Sequence, residues 1–376
     1  MTHRDRGCPG RKTAPAVLLF VACALSQVGN AVAGDLSERI DKAMSGHYPS
    51  HEPGATVLAA RDGNVVFRGA YGLASVELQV PMRPEMVFCL ASVTKLFTAV
   101  AAMQLVEEGA LRLDDEVTKY LPELVETRGV TIAHLLSHTS GMTGPLAAIP
   151  GYRQKNIQLE ISSKDLISSY APFPLLFPPG ERFKYSNEGV ATLARILELV
   201  SKQSWEDLLR KRIFEPAGMK STAYGGHDRI IPLAVTGYTK EDAGWKRAQA
   251  TSYTRGFGMG GLFSTVDDLF AWRNALLAGR LVKPETLKAM FTPFPLKDGG
   301  FSRHGFGFVV TELQGRKFVG HGGSHEGWST FIGLLPDDGI MVAVLTNRSP
   351  RGRAASDDVK EIIGLMLADP AKNPLP

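Results

Sequence analysis

Residues Ser92-Val93-Thr94-Lys95, followed by Leu96, Phe97, Val100, Met103, Leu105 and Val106, decide how this chain is read. The apolar positions recur at helical spacing, which predicts a helix over 92–108 ended by Gly109, with Ser92 at its start. Positions three apart share a helix face, so the Lys95 side chain reaches the Ser92 hydroxyl without help from a distant loop. A free serine hydroxyl is a poor nucleophile, and a lysine with a pKa near ~10.4 is charged at neutral pH. Burial on an apolar helix favours the amine, the form a base needs. The helix N-terminus also aims N–H groups and the positive dipole end at charge developing beside Ser92, as acyl transfer requires. Taken alone, the same four residues also fit an N-capping serine followed by a solvated lysine.

Strand signals sit on both sides of this helix. Leu36, Ile40 and Met44 are spaced as on one helix face, and Ala55–Ala60 and Asn64–Ala70 flank Asp62-Gly63, a hairpin signal. Ser329–Leu335 and Ile340–Thr346 flank residues 336–339 as a second antiparallel hairpin, and a helix is expected over 355–367. Strands at both ends imply one shared sheet. Between them, 131–137, 188–200 and 266–278 read as helices, the last after the capping residues Ser264 and Thr265. The expected fold is mixed α/β (α+β): an antiparallel sheet flanked by N- and C-terminal helices, with a mostly helical subdomain, roughly residues 90–260, inserted between its strands. A cleft between the two is the expected ligand site.

Two further segments carry polar groups suited to acyl transfer. Phe177-Pro178-Pro179-Gly180 makes a sharp turn, and Tyr185-Ser186-Asn187 follows on a loop before a helix beginning at Glu188. A neighbouring cation would make the Tyr185 phenol acidic enough to relay protons, and the Asn187 amide is able to hold a side chain and donate to a carbonyl. Gly320-His321-Gly322-Gly323-Ser324 follows a strand over 317–319, where consecutive glycines leave room for another backbone or a ligand alongside. There the Ser324 N–H would stand as a second oxyanion donor beside that of Ser92.

Ser92-x-x-Lys95, Tyr185-x-Asn187 and His321-Gly322-Gly323, in this order and separation, resemble the motifs of the class C β-lactamase, DD-peptidase and family VIII esterase superfamily. Leu136-Ser137-His138-Thr139-Ser140-Gly141, Pro179-Gly180 and Met259-Gly260-Gly261-Leu262 look like that family too, so the resemblance covers nearly the whole chain after residue 33. It implies a β-lactamase/transpeptidase-like fold and a serine hydrolase needing no cofactor. Ser92 would be the acylated nucleophile, Lys95 and Tyr185 the proton-transfer pair, and Asn187 the positioner of substrate and Lys95. His321 would mark the third motif, with the Ser92 and Ser324 amides as the oxyanion hole. One departure bears on substrate: the family's β-lactamases carry Lys-Thr-Gly or Lys-Ser-Gly where this chain has His321-Gly322-Gly323. A histidine near ~6.5 is mostly neutral at pH 7, so the cation that holds a penicillin or peptide carboxylate is missing. Hydrolysis of a small ester, amide or D-amino-acid peptide is expected, with weak β-lactam turnover.

The first residues form a basic stretch with Arg4, Arg6, Arg11 and Lys12, then an apolar run from Ala14 to Leu25 and the small-x-small sequence Ala31-Val32-Ala33. That is a signal-peptide profile, with cleavage near Ala33 and a periplasmic or secreted product; lipidation at Cys23 is the lesser alternative. The run is too short to span a bilayer, so no membrane span is expected after cleavage. Loss of residues 1–33 lowers the formal charge from +4 to +1, which leaves no electrostatic case for nucleic acid. Of three cysteines, Cys8 and Cys23 lie in the leader, and Cys89 between Phe88 and Leu90 reads as a small buried hydrophobe.

Other chemistries fit less well. His321 and His325 have the four-residue spacing of a helical zinc pair, but the surrounding glycines make poor helix and no His-Glu-x-x-His occurs. Gly-x-Ser-x-Gly, the mark of an α/β-hydrolase, is absent. His138 and Ser140 read as closing the helix over 131–137. A non-catalytic penicillin-binding-like sensor or wall-binding module is the remaining alternative, disfavoured because buried polar groups are costly to keep without use.

Overall fold

The computed structural model describes residues 36–226, 229–349 and 352–369 of the 376-residue chain. The leader with its cleavage site, Cys8 and Cys23 lies outside the described residues. Asp62 and Gly63 both take positive φ, 49° and 76°, the left-handed pair that a two-residue hairpin loop needs between β1 (Ala55–Arg61) and β2 (Asn64–Tyr71). Four more strands follow near the C-terminus: β3 (Val309–Leu313), β4 (Arg316–His325), β5 (Trp328–Leu335) and β6 (Ile340–Thr346). The six form one antiparallel sheet in the order β3-β4-β5-β6-β1-β2. Ala55 pairs with Thr346 and Arg61 with Ile340, so strands from the two ends of the chain close the centre of the sheet.

The sheet is buried on both faces, and its alternation shows it. Val57, Ala59, Val342 and Val344 pack on one side, against helix α1 (36–47) through Leu36, Ile40 and Met44. Leu58, Ala60, Met341 and Ala343 point to the other side, where the larger core lies. That core holds α2 (Thr94–Glu107), α3 (Asn187–Ser201) and α4 (Val266–Leu277), all from the stretch between β2 and β3. Helix α5 (Ala355–Leu367) returns to the α1 face through Val359, Ile362, Ile363 and Met366. The fold is the expected mixed α/β architecture, a sheet flanked by the terminal helices with helices contributed from within.

Helix α2 is apolar nearly all round: residues 94–103 and Leu105 are buried, so it is a core helix with the site at one end. Each fully buried leucine or phenylalanine on it contributes ~1.5–3 kcal/mol of hydrophobic stabilisation. No described helix is long and apolar enough to cross a membrane. Several elements begin or end elsewhere than the sequence pattern predicts. Ser92 stands in a single 3-10 turn, Ala91–Val93, that precedes α2, because Ala91 takes a left-handed φ of 46°. Ser186 caps α3, accepting the Gly189 N–H at 2.9 Å, so the helix starts at Asn187 and not at Glu188. The strand expected over 317–319 runs from Arg316 to His325 and so includes the whole third motif. A hairpin of Tyr238–Glu241 and Gly244–Arg247 lies where the sequence shows no motif.

Candidate active site

The turn bearing Ser92 is fixed from two sides. Leu90 N–H donates to the Leu262 carbonyl at 2.8 Å, and the Thr94 hydroxyl accepts the Leu262 N–H at 3.2 Å. On the other side the turn lies against β4, and Gly323 is where they touch. A Cβ at 323 would stand 2.2 Å from the Leu90 carbonyl oxygen and 2.3 Å from Thr330 Oγ1, so only glycine fits. The room expected beside these glycines is taken by the nucleophile's own backbone. A Cβ at Gly322 would instead meet the Phe331 ring at 2.9 Å, on the opposite face of the strand.

Lys95, 1% exposed, places Nζ 3.0 Å from Ser92 Oγ and 2.7 Å from the Met259 carbonyl oxygen. Desolvation pushes its pKa down to about 7, opposed by the negative charge of Glu188. As the neutral amine, Lys95 gives an N–H to Met259 and turns its lone pair to the Ser92 hydroxyl. The Met259-Gly260-Gly261-Leu262 segment is thus the strap that aims the amine.

Tyr185 covers the pair, with the Lys95 Nζ 5.0 Å from its ring centroid and its hydroxyl hydrogen-bonded to Ser92. Its phenol is not made acidic, as the sequence reading expected. Desolvation raises it above the ordinary tyrosine value, more than the bond to Ser92 lowers it. Tyr185 is therefore a protonated donor at neutral pH, and Lys95 is the base.

Three buried histidines surround Tyr185. His138 stacks on its ring at 4.5 Å, and His321 and His304 lie with ring centroids 6.1 and 6.4 Å from it. Burial, and then the neighbouring Lys95, push His304 down to about 4 and His321 to about 3; burial and then His304 drive His138 well below its ordinary value. All three are neutral at working pH. His321 Nδ1 donates to the Gly322 carbonyl at 2.6 Å, which leaves Nε2 as a buried lone pair without a partner. From the sequence, His138 is expected to close the helix over 131–137. It belongs to the site because its left-handed backbone (φ 57°) turns the chain back under Tyr185, and its Nδ1 accepts the Ser186 N–H at 3.2 Å. His304 carries no signal in the sequence.

The three histidines offer ligand atoms within 4.8 Å of one another, a spacing that approaches a metal site. His138, however, commits its lone pair to the Ser186 amide and keeps a proton on Nε2, so at most two of the three are free to ligate. His325 does not join them: it lies four residues from His321 on a strand, not on a helix turn. His47, Asp358 and Glu361 also converge, but Arg353 binds both carboxylates.

A cavity of 390 Å³ opens over Ser92, lined by Tyr185, Asn187, Glu188, Tyr253, Arg255 and Ser324 among others. Ser92, Lys95, Tyr185, Asn187 and Ser324 thus meet at one place, His321 stands behind Tyr185, and Gly322 and Gly323 serve packing. Cys89 is 1% exposed with its thiol pushed up to about 12 by burial, which makes it no nucleophile.

A family model described as Beta-lactamase matches residues 39–364. Penicillin-binding protein 4* of Bacillus subtilis is 29% identical over 316 residues, 79% of this chain and 69% of its own length. A D-aminopeptidase of Gluconobacter oxydans is 27% identical over 86% of this chain, which spans only 61% of that enzyme. Among solved structures, the octameric penicillin-binding protein homologue from Pyrococcus abyssi has a TM-score of 0.74 at 30% identity, over 89% of this chain and 77% of its own.

Proposed function

The chain belongs to the Beta-lactamase family, and from that premise we propose that it is an exported serine hydrolase that acylates itself at Ser92 and hydrolyses esters or amides, those of D-amino acids among them. The observation that carries this reading is the desolvated Lys95 amine, 3.0 Å from the Ser92 hydroxyl and with its pKa near about 7. A base poised near the working pH gives the best product of correct protonation and driving force.

The reaction has two halves. Ser92 Oγ attacks the substrate carbonyl while its proton passes to Lys95, and the Ser92 and Ser324 amides stabilise the oxyanion, each donor by roughly 3 kcal/mol. The tetrahedral adduct collapses, and the leaving amine or alcohol takes a proton from Lys95 through the Tyr185 hydroxyl. Water then attacks the acyl-enzyme with Lys95 again accepting the proton, and Ser92 is regenerated. Asn187 at the cavity wall orients the acyl group.

Substrate class follows from the third motif. His321 is buried and neutral, so no fixed cation stands there for a carboxylate. The D-aminopeptidase among the relatives supports D-amino-acid amides. Export rests on the leader features of residues 1–33.

The test is to incubate purified protein in parallel with nitrophenyl esters, D-amino-acid nitroanilides and a chromogenic cephalosporin, then map adducts by mass spectrometry. An acyl group on Ser92, absent in Ser92→Ala, is the expected result. Turnover of none and no adduct on Ser92 would favour the non-catalytic binding module.

A further inference from the structure

The cavity carries two fixed charges besides the Lys95 site, Arg255 and Glu188, and the second is unexplained by the mechanism. Arg255 is partly engaged, with Nε donating to the Leu159 carbonyl at 2.7 Å. Glu188 is 6% exposed. Its carboxylate takes a 3.4 Å hydrogen bond from the Ser186 hydroxyl and a bond from its own backbone N–H. Among the described residues no lysine or arginine forms an ion pair with it; Lys95 and Lys184 act on it only at a distance. Most of the acceptor capacity of the carboxylate is therefore left unused by the protein at the wall of the cavity.

The carboxylate is also held in position. A Cβ on Gly144 would stand 2.9 Å from both Glu188 Cγ and the Tyr170 ring, so backbone and ring pin the side chain against the cavity wall. The Tyr170 hydroxyl is buried without a partner.

We propose that Glu188 is the receptor for a primary ammonium on the acyl side of the substrate, so that the enzyme selects amides and esters of amino acids with a free α-amine. This rests on acylation at Ser92. A desolvated carboxylate in a fixed place has already met most of its desolvation cost on folding, and an arriving ammonium gains charge-assisted hydrogen bonds with little rearrangement. The neutral histidines do not repel that ammonium, nor does Lys95 in its amine form, and the one guanidinium on the cavity lining, Arg255, is tied through Nε to the Leu159 carbonyl. Desolvation raises the Glu188 pKa, as expected for a carboxylate awaiting a counter-charge.

The test compares kcat/KM for D-alanyl nitroanilide and N-acetyl-D-alanyl nitroanilide in wild type and Glu188→Gln. Wild type should prefer the free amine, and the variant should lose at least ~30-fold of that preference, mostly through KM, the lower end of what removing one partner of a buried charge pair costs. Removing the charge also shifts the Lys95 base, but that moves both substrates together. An unchanged ratio, or a wild type without preference, overturns the proposal. A second measurement needs no variant: D-phenylalaninamide should inhibit wild-type turnover of nitrophenyl acetate at a concentration at least ~10-fold below that of its N-acetyl derivative, a gap of the size one charge-assisted bond provides; equal inhibition overturns it. Failure of the underlying reading looks different, because nitrophenyl acetate would then leave no acetyl group on Ser92.

Discussion

The Lys95 amine and the Ser92 hydroxyl meet at 3.0 Å in a place closed to water on the lysine side, since Lys95 is 1% exposed. The Met259 carbonyl, at 2.7 Å, leaves the amine one direction in which to turn its lone pair. Lys95→Ala should therefore lower kcat/KM on a nitrophenyl ester by at least ~100-fold, the scale of a positioned general base. Near wild-type turnover in the variant would remove Lys95 from the mechanism.

The same amine sets the pH dependence. With the Lys95 pKa at about 7, kcat/KM on a neutral ester should rise tenfold per unit below that point and level off above it. His304 and His321, at about 4 and 3, do not contribute in this range, and Glu188 holds the midpoint up. For stability the sign is the reverse of that for a lysine gaining a partner. Between about 7 in the fold and ~10.4 unfolded, the unfolded chain binds more protons, so stability rises with pH across that window and the penalty is full below it. Urea unfolding should show Lys95→Met gaining more over wild type at pH 6 than at pH 10. A gain independent of pH would place the lysine's burden elsewhere.

Much of this site was legible because its parts are local. Ser92 and Lys95 are three residues apart, and a helical apolar pattern is enough to put them on one face. The hairpins around Asp62-Gly63 and residues 336–339 were legible for the same reason, as turn chemistry between β-rich runs. What the sequence hides is made by distance. Met259 meets Lys95 through a backbone carbonyl, which has no residue signature. His138, His304 and His321 come from three separate segments, and only packing reveals that they share one apolar chamber with Tyr185. The Tyr185 phenol departs from its expected acidity because burial lowers the charge of the lysine beside it and raises the phenol itself, so desolvation prevails.

Gly323 carries the contact between β4 and the nucleophile turn. An alanine there would push its Cβ to 2.2 Å from the Leu90 carbonyl, which also accepts the Thr330 hydroxyl at 2.8 Å. Gly323→Ala should thus cost ~1–3 kcal/mol by overpacking and displace Ser92 from its amine, with activity falling further than stability. Thermal unfolding and ester turnover read the two effects. A variant with wild-type kcat would mean that the turn tolerates displacement from the strand.

The third motif predicts how β-lactams fare. A cephalosporin presents a carboxylate, and its affinity depends on a cation at the position His321 occupies in sequence. His321 is 3% exposed, and burial and the neighbouring Lys95 keep it uncharged until the pH nears about 3. Acid to pH 5 therefore creates no imidazolium there, while in the same cavity Glu188 opposes a carboxylate and Arg255, tied through Nε to the Leu159 carbonyl, favours it. A missing charge-assisted bond of ~1.5–3 kcal/mol corresponds to roughly 10- to 100-fold in rate. Turnover of a chromogenic cephalosporin should accordingly fall at least ~10-fold below that of a neutral nitrophenyl ester in kcat/KM, with the ratio no better at pH 5 than at pH 8. If the ratio climbs as the pH drops, a cation forming in the site, the Lys95 ammonium or a His321 imidazolium, is holding the carboxylate, and the third motif does not set β-lactam turnover.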